Sequence, residues 1–305
     1  MIVHRATLNI LRTVWVVGAL SGALGAAVAS SPLPEAERVI LAEQPRRVLA
    51  EVDHMAPRVP GRPNVFFLGL AGYGEQAVFR KEEALARRTF GERFGSLDRS
   101  VELVNDVHDR ESHPLATFEN LRDALRLIGR RMDRDRDVLV LVVTSHGSAE
   151  DGIALTNGDL VDDALSPRDV RKVLDEAGIR WRVIVASACY AGIFIRPLRT
   201  DTTLIMTAAD ARHSSFGCAD DRDLTYFGEA LIHDALPGAC SLEDAFASAR
   251  RIIRRRESDE GEVHSNPQLY VGSHMRAKLA ALDHVPTATC AGPQRAPSHH
   301  SRAAT

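Results

Sequence analysis

Cysteine is scarce in this sequence: Cys189, Cys218, Cys240 and Cys290 are the only four in 305 residues. None is spaced Cys-x-x-Cys, which excludes the usual zinc-site and redox-pair patterns, and four are too few for a disulfide scaffold of this length. An excess of one charge is also missing. Lysine and arginine number 38 against 41 aspartates and glutamates, a formal net charge of −3, so no overall basic field points to a nucleic-acid partner. The densest basic cluster, Arg250 to Arg256, carries Ile252 and Ile253 and reads as the solvated face of a helix. There is no internal repeat, and beyond residue 29 no apolar run is long enough to span a bilayer.

The one long uncharged run is N-terminal. Basic His4, Arg5 and Arg12 precede an apolar stretch from Thr13, and Ala27-Val28-Ala29 supplies a small-x-small site, the layout of an export signal over residues 1–29. The run is rich in Gly and Ala and marginal for spanning a bilayer, so cleavage after Ala29 is expected ahead of retention as a signal anchor. Export to the periplasm or medium is thus expected, with membrane contact only through this segment if it is uncleaved. Residues 30–63, with five prolines before position 61 and many charges, read as a linker with one helix around Glu35 to Glu51. The ordered domain is expected over 64–285. Residues 286–305, rich in Pro, Ala, Ser, His and Thr and including His299 and His300, read as a disordered tail.

Within 64–285, short runs rich in Val, Ile and Leu alternate with segments of helical period, the signature of an α/β fold whose mostly parallel sheet is covered on both faces. Strands are predicted at Val65 to Leu70, Val101 to Val104, Val138 to Thr144, Arg182 to Ser187, Thr203 to Thr207 and, late, Gln268 to Val271. Helices are predicted at Gln76 to Phe90, Leu115 to Met132, Pro167 to Ala177, Ala191 to Leu198, Tyr226 to Ala235 and Leu242 to Arg256. Ser166 before Pro167 is a good N-cap with proline at the first helical position, and Gly178 a natural stop.

Two of these strands end in chemistry. Val138 to Val143 runs into Thr144-Ser145-His146-Gly147-Ser148, and Val183 to Ala186 into Ser187-Ala188-Cys189-Tyr190-Ala191-Gly192. Both lie at the carboxyl edge, where open parallel sheets bind ligands. A thiol is only slightly ionised at neutral pH, so a nucleophilic Cys189 needs an imidazole or a helix N-terminus. His146 meets the first need and the helix from Ala191 the second. Gly147 and Cys189 can each present a backbone N–H to the oxyanion formed on attack at a carbonyl. Either residue alone would be read as a buried small hydrophobe or a hydrogen-bonded loop histidine. Together, 43 positions apart on two strand ends, they are far more specific.

These two segments resemble the catalytic motifs of the legumain-like (C13) cysteine peptidases of the caspase-like group, bacterial type, and the similarity extends over most of Asn64 to Leu282. The resemblance implies a caspase/haemoglobinase-like three-layer sandwich, catalysis with no metal or organic cofactor, and cleavage or transfer of peptide bonds in a peptide or protein substrate, often after asparagine. The segment Ala71 to Arg80 is similar to the family stretch after the first strand and matches Arg80 to a substrate-binding arginine. Ser214 to Cys218 and Thr225 to Glu229 are similar to pocket segments and match Ser215 and Glu229, the latter where legumain has aspartate. By that match Arg80 and Glu229 would read the two ends of an asparagine carboxamide. Val78 stands where the family carries the asparagine that orients its histidine, leaving a backbone carbonyl or Ser145 as substitutes.

Two other readings stay open at this level. An α/β-hydrolase with a cysteine nucleophile would draw its histidine from His213, His233, His264 or His274, downstream of Cys189. A cell-envelope binding module would keep the fold without turnover, and the missing orienting asparagine favours it. Cys218 has Cys240 and Cys290 open to it as disulfide partners, whereas a catalytic Cys189 must stay unpaired. The charged stretch Glu257 to Glu262 reads as a loop, or else as a processing site.

Overall fold

The computed structural model describes residues 33–282. The expected export signal and cleavage site, Cys290 and the expected tail lie outside the described residues. Among the described residues no helix is long and apolar enough to cross a membrane.

A six-stranded sheet forms the middle layer. Its strands are β1 (Val65–Ala71), β2 (Ser100–Val104), β3 (Val138–Thr144), β7 (Trp181–Ser187), β8 (Thr203–Thr207) and β9 (Gln268–Val271), in the order β2-β1-β3-β7-β8-β9. All neighbours are parallel except β8 and β9. Successive side chains of a strand face opposite ways, and the core divides accordingly. Phe66, Leu68, Leu139, Leu141 and Ile184 enter one cluster, and Phe67, Val138, Val140, Val183 and Val185 enter the other. With both faces buried, the strands must be apolar throughout, as the Val-rich runs are.

On the first face lie α1 (Glu35–His54), α3 (Phe118–Arg131), α4 (Pro167–Glu176) and the short α5 (Ile195–Leu198), contributing Val48, Val52, Leu121, Leu125, Val173 and Leu198. On the second lie α2 (Ala77–Phe94), α6 (Tyr226–Gly228), α7 (Leu242–Glu260) and α8 (Met275–Ala280), contributing Ala86, Phe90, Phe227, Phe246, Ile253 and Met275. This is the expected three-layer α/β sandwich. The predicted cap is present, the Ser166 side chain accepting from the Asp169 N–H, and Thr117 and Ser241 cap α3 and α7 in the same way.

Three expectations need correction. Residues 30–63 are not merely a linker, because Val48, Val52 and Met55 are buried in the core and Gln44 accepts hydrogen bonds from the Leu115 N–H and the Asn120 amide, both at 2.8 Å. Glu257 to Glu262 is not a loop over its first half, although Ser258 and Asp259 are exposed. Helix α7 continues to Glu260, and Glu257 is buried, accepting from the Ser265 N–H at 3.1 Å and from its hydroxyl. The expected helix Tyr226 to Ala235 changes winding, becoming a π-helix from Glu229 to Ala235. Unpredicted was a second, three-stranded sheet of β4 (Gly147–Ser148), β5 (Gly152–Thr156) and β6 (Asp162–Leu165) that begins directly after His146.

One buried carboxylate ties the lower edge of the main sheet to the chain entering it. Asp137, just before β3, accepts from Arg58 Nε at 2.6 Å and from the backbone N–H groups of Asn64 at 2.8 Å and Asp133 at 2.7 Å. Burial alone would raise its pKa, but the Arg58 hydrogen bond and the two amides overcome this and hold it below the usual value. Its stabilising share is therefore present at neutral pH and is lost as the pH falls below about 4. Asp137→Ala strands the Arg58 guanidinium and both amides, and urea denaturation at pH 7 should show a loss of about 3 kcal/mol.

Candidate active site

The site is built by strand register. Ala71 of β1 pairs with Thr144 of β3, which pairs with Ser187 of β7, so three adjacent strands end on one line. His146 and Cys189 each follow two residues beyond that line. The ladder runs on as the Ser145 N–H donates to the Ser187 carbonyl at 3.2 Å and the Gly72 N–H to the Thr144 carbonyl at 2.9 Å. The sequence order doubles back between β1 and β3, the switch point at which such sheets open a crevice.

Gly147 shows how close the two strand ends come. A Cβ on it would lie 2.5 Å from the Cys189 carbonyl oxygen and 3.1 Å from the Ala188 side chain. Only glycine lets the His-Gly and Ala-Cys backbones touch here. Cys189 is a free thiol, as is Cys218, so neither of the pairings left open to Cys218 is made. The Cys189 Sγ lies 3.3 Å from the Ser215 N–H, 3.4 Å from its carbonyl and 3.6 Å from its hydroxyl. The chain turns sharply after the sulfur: Tyr190 has φ 56°, a left-handed conformation costly for a side chain of its size, and its N–H donates to the His213 carbonyl at 2.9 Å. The expected helix from Ala191 starts as a single 3₁₀ turn, Ala191–Phe194, before α5, so it supplies little dipole to the thiol.

His146 is held between edges and faces of two rings, Tyr73 at 4.5 Å and Phe79 at 5.0 Å between centroids, and its Nε2 lies 2.7 Å from Gln76 Oε1. Burial pushes the imidazole pKa down, and the negative charge of Glu75 partly offsets that. The neutral base is therefore the favoured form. Beneath the strand ends sits Glu82, fully buried, accepting from the Thr225 N–H at 3.1 Å and its hydroxyl at 2.6 Å. Burial raises its pKa, against the hydrogen bonds from Thr225. Burial, with Cys189 and Glu82 nearby, pushes the Cys218 thiol up to about 12, so it stays protonated.

The other expected members separate. Ser215 is at the sulfur. Arg80 is paired with Asp106 at 2.8 Å, while Glu229 accepts from Arg222 at 2.8 Å and Arg256 at 2.6 Å, and both guanidiniums lie over the Tyr226 ring. Arg80 and Glu229 thus have other partners and do not form the facing donor–acceptor pair expected of an amide reader. Arg256, read from sequence as part of a solvated face, is one of those partners. Ser145, expected as a substitute orienter, gives its hydroxyl to the Ala154 carbonyl at 2.7 Å, and Val78 is buried among Ala71, Phe79 and Val104. Gln76 was missed; its one sequence signal was its place just after the first strand. A cleft of about 530 Å³ opens beside His146 and Gly147, lined also by Ser148, Asp151, Asp162 and Asp163. Among the described residues no group of three or more His, Cys, Asp or Glu side chains is arranged to hold a metal ion.

With this geometry in view, residues 128–278 match the Peptidase C13 family. Over that stretch the chain is a Peptidase C13 domain. The matched stretch holds His146, Cys189, Ser215 and Glu229, whereas Gln76 and Arg80 precede it. Among solved structures, the caspase-1 from Spodoptera frugiperda is similar at 12% identity, over 69% of this chain and 86% of that one, with a TM-score of 0.47. No curated protein matches the chain.

Two outcomes follow for this site. Gly147→Ala drives the His-Gly and Ala-Cys segments apart, and kcat/KM on any cleaved peptide should fall by about 100-fold or more. The acid limb of kcat/KM should lie below the ordinary imidazole range of about 6.5. Because Glu75 opposes the downward shift, Glu75→Gln should move that limb to still lower pH in stopped-time peptide assays across a pH series.

Proposed function

We propose that the chain is a cysteine endopeptidase that attacks peptide bonds with Cys189, using His146 as general base and then general acid. The supporting observation is the shared register line, which brings the two strand ends into backbone contact at Gly147 and Cys189. Since burial favours the neutral imidazole, the resting pair is thiol and imidazole, and His146 takes the thiol proton as sulfur attacks. The substrate carbonyl oxygen becomes an oxyanion held by the Gly147 and Cys189 N–H groups. His146 then protonates the departing amine, and water, activated by the same imidazole, releases the acid from the thioester. An amine in place of water would give transpeptidation through the same thioester.

Cleavage after asparagine is the finer part of this reading. Ser215 stands beside the sulfur, and Arg80 is the expected pocket donor whose anchor, Asp106, is a single carboxylate. Glu229, flanked by two guanidiniums, is the weaker member. Export by the N-terminal segment belongs to the same proposal.

The purified chain is tested on a peptide library with mass-spectrometric product analysis. Cys189→Ala and His146→Ala should each abolish cleavage, and Arg80→Ala should lower selectivity at the residue before the cut while leaving cleavage measurable. Cleavage that persists in Cys189→Ala would exclude the mechanism; folded chain with no turnover on any peptide would favour the binding module.

A further inference from the structure

The same sheet edge brings a third polar side chain to the dyad. Gln76 follows β1 by five residues, as His146 follows β3 and Cys189 follows β7 by two. Its carboxamide has two partners: Oε1 lies 2.7 Å from His146 Nε2, and Nε2 lies 2.8 Å from Asp220 Oδ1. The two ends of an amide look alike in shape, so chemistry must decide which faces which. An ionised carboxylate only accepts, so the amide NH₂ belongs on Asp220 and the oxygen on the imidazole. That oxygen in turn only accepts, so His146 Nε2 carries the proton. Turning the amide over would set oxygen against carboxylate. A neutral imidazole has one N–H, which leaves the lone pair on Nδ1.

We propose that Gln76, locked in orientation by Asp220, is the positioning residue that holds His146 in its Nε2–H tautomer and leaves Nδ1 as the base for the Cys189 proton. Other candidates for the place are spent: Val78 is apolar and buried, and the Ser145 hydroxyl is given to Ala154. The Nε2–H donation persists when Nδ1 takes up a proton, so the ring need not turn between its basic and acidic roles. The Tyr73 and Phe79 rings at 4.5 and 5.0 Å restrict the same rotation. The inference rests on His146 being the general base, but its first test does not depend on turnover.

That test is a long-range proton–nitrogen NMR correlation on the full chain with labelled histidine, carrying Cys189→Ala to prevent self-cleavage, at a pH where His146 is neutral. A protonated Nε2 and bare Nδ1 are expected for His146, with Nδ1–H appearing in Gln76→Ala. A parent spectrum showing Nδ1–H, or one unchanged by Gln76→Ala, overturns the proposal. In the chain with Cys189 intact, Gln76→Ala should lower kcat at least about tenfold with KM little changed. Gln76→Glu keeps an acceptor and should recover part of that loss, while its charge moves the acid limb to higher pH. Asp220→Asn, which no longer dictates the amide's orientation, should fall between. Equal losses in Gln76→Ala and Gln76→Glu with an unmoved acid limb would mark a structural role only. If Gln76→Ala fails to fold, the parent spectrum and that of Asp220→Asn decide. If the intact chain cleaves nothing, the peptidase reading fails while the tautomer still judges this one.

Discussion

Three adjacent parallel strands ending in register are the constraint on which the rest of the structure depends. Ala71, Thr144 and Ser187 share one line across β1, β3 and β7, and the residues just past it supply an amide, an imidazole and a thiol. A shift of one residue in either pairing would exchange the strand's side chains between the two packed layers and carry His146 or Cys189 with them. The register is fixed by burial on both faces, so the chemistry inherits its geometry from the hydrophobic core. Gly147 is the local price of that closeness, since no other residue lets the two strand ends meet.

Polar groups under the line reinforce it. Glu82 reaches from α2 to Thr225, the cap of α6, whose hydroxyl also lies 3.3 Å from the Ser187 hydroxyl at the strand end. Burial raises the Glu82 pKa, which lowers the cost of placing this carboxyl in the core. Gly228 leaves room for it, because a Cβ there would strike the Glu82 carboxylate. The site is thus braced from below by hydrogen bonds and from the side by the Tyr73 and Phe79 rings. Burial meanwhile keeps His146 a neutral base.

Much of this was legible in the sequence, because long apolar strands and helix caps obey simple periods. The ranges of β3, β8 and β9 were readable to the residue, and the His-Gly and Ala-Cys strand ends stood out for the same reason. Helix α1 was undervalued because Pro45 and its charges hide the buried Val48 and Val52, with the buried Met55 just after the helix end. The small sheet after His146 escaped because its strands are two to five residues long and carry no period. Side-chain pairing across the fold left no trace at all: Arg80 with Asp106, Glu229 with Arg222 and Arg256, and Gln76 with His146 join residues 7 to 70 positions apart. An orienting group was sought at Val78, and the chain supplies its polar contact two residues earlier.

The central claim is that His146 acts directly on the Cys189 sulfur. It is tested most directly by the rate of alkylation of Cys189 by iodoacetamide, resolved from Cys218 by peptide mapping, in the native chain and in His146→Ala. The account predicts fast labelling confined to Cys189, with a rate that drops sharply in His146→Ala, while Cys218 reacts slowly in both. Slow labelling of Cys189 that is indifferent to the histidine would contradict it.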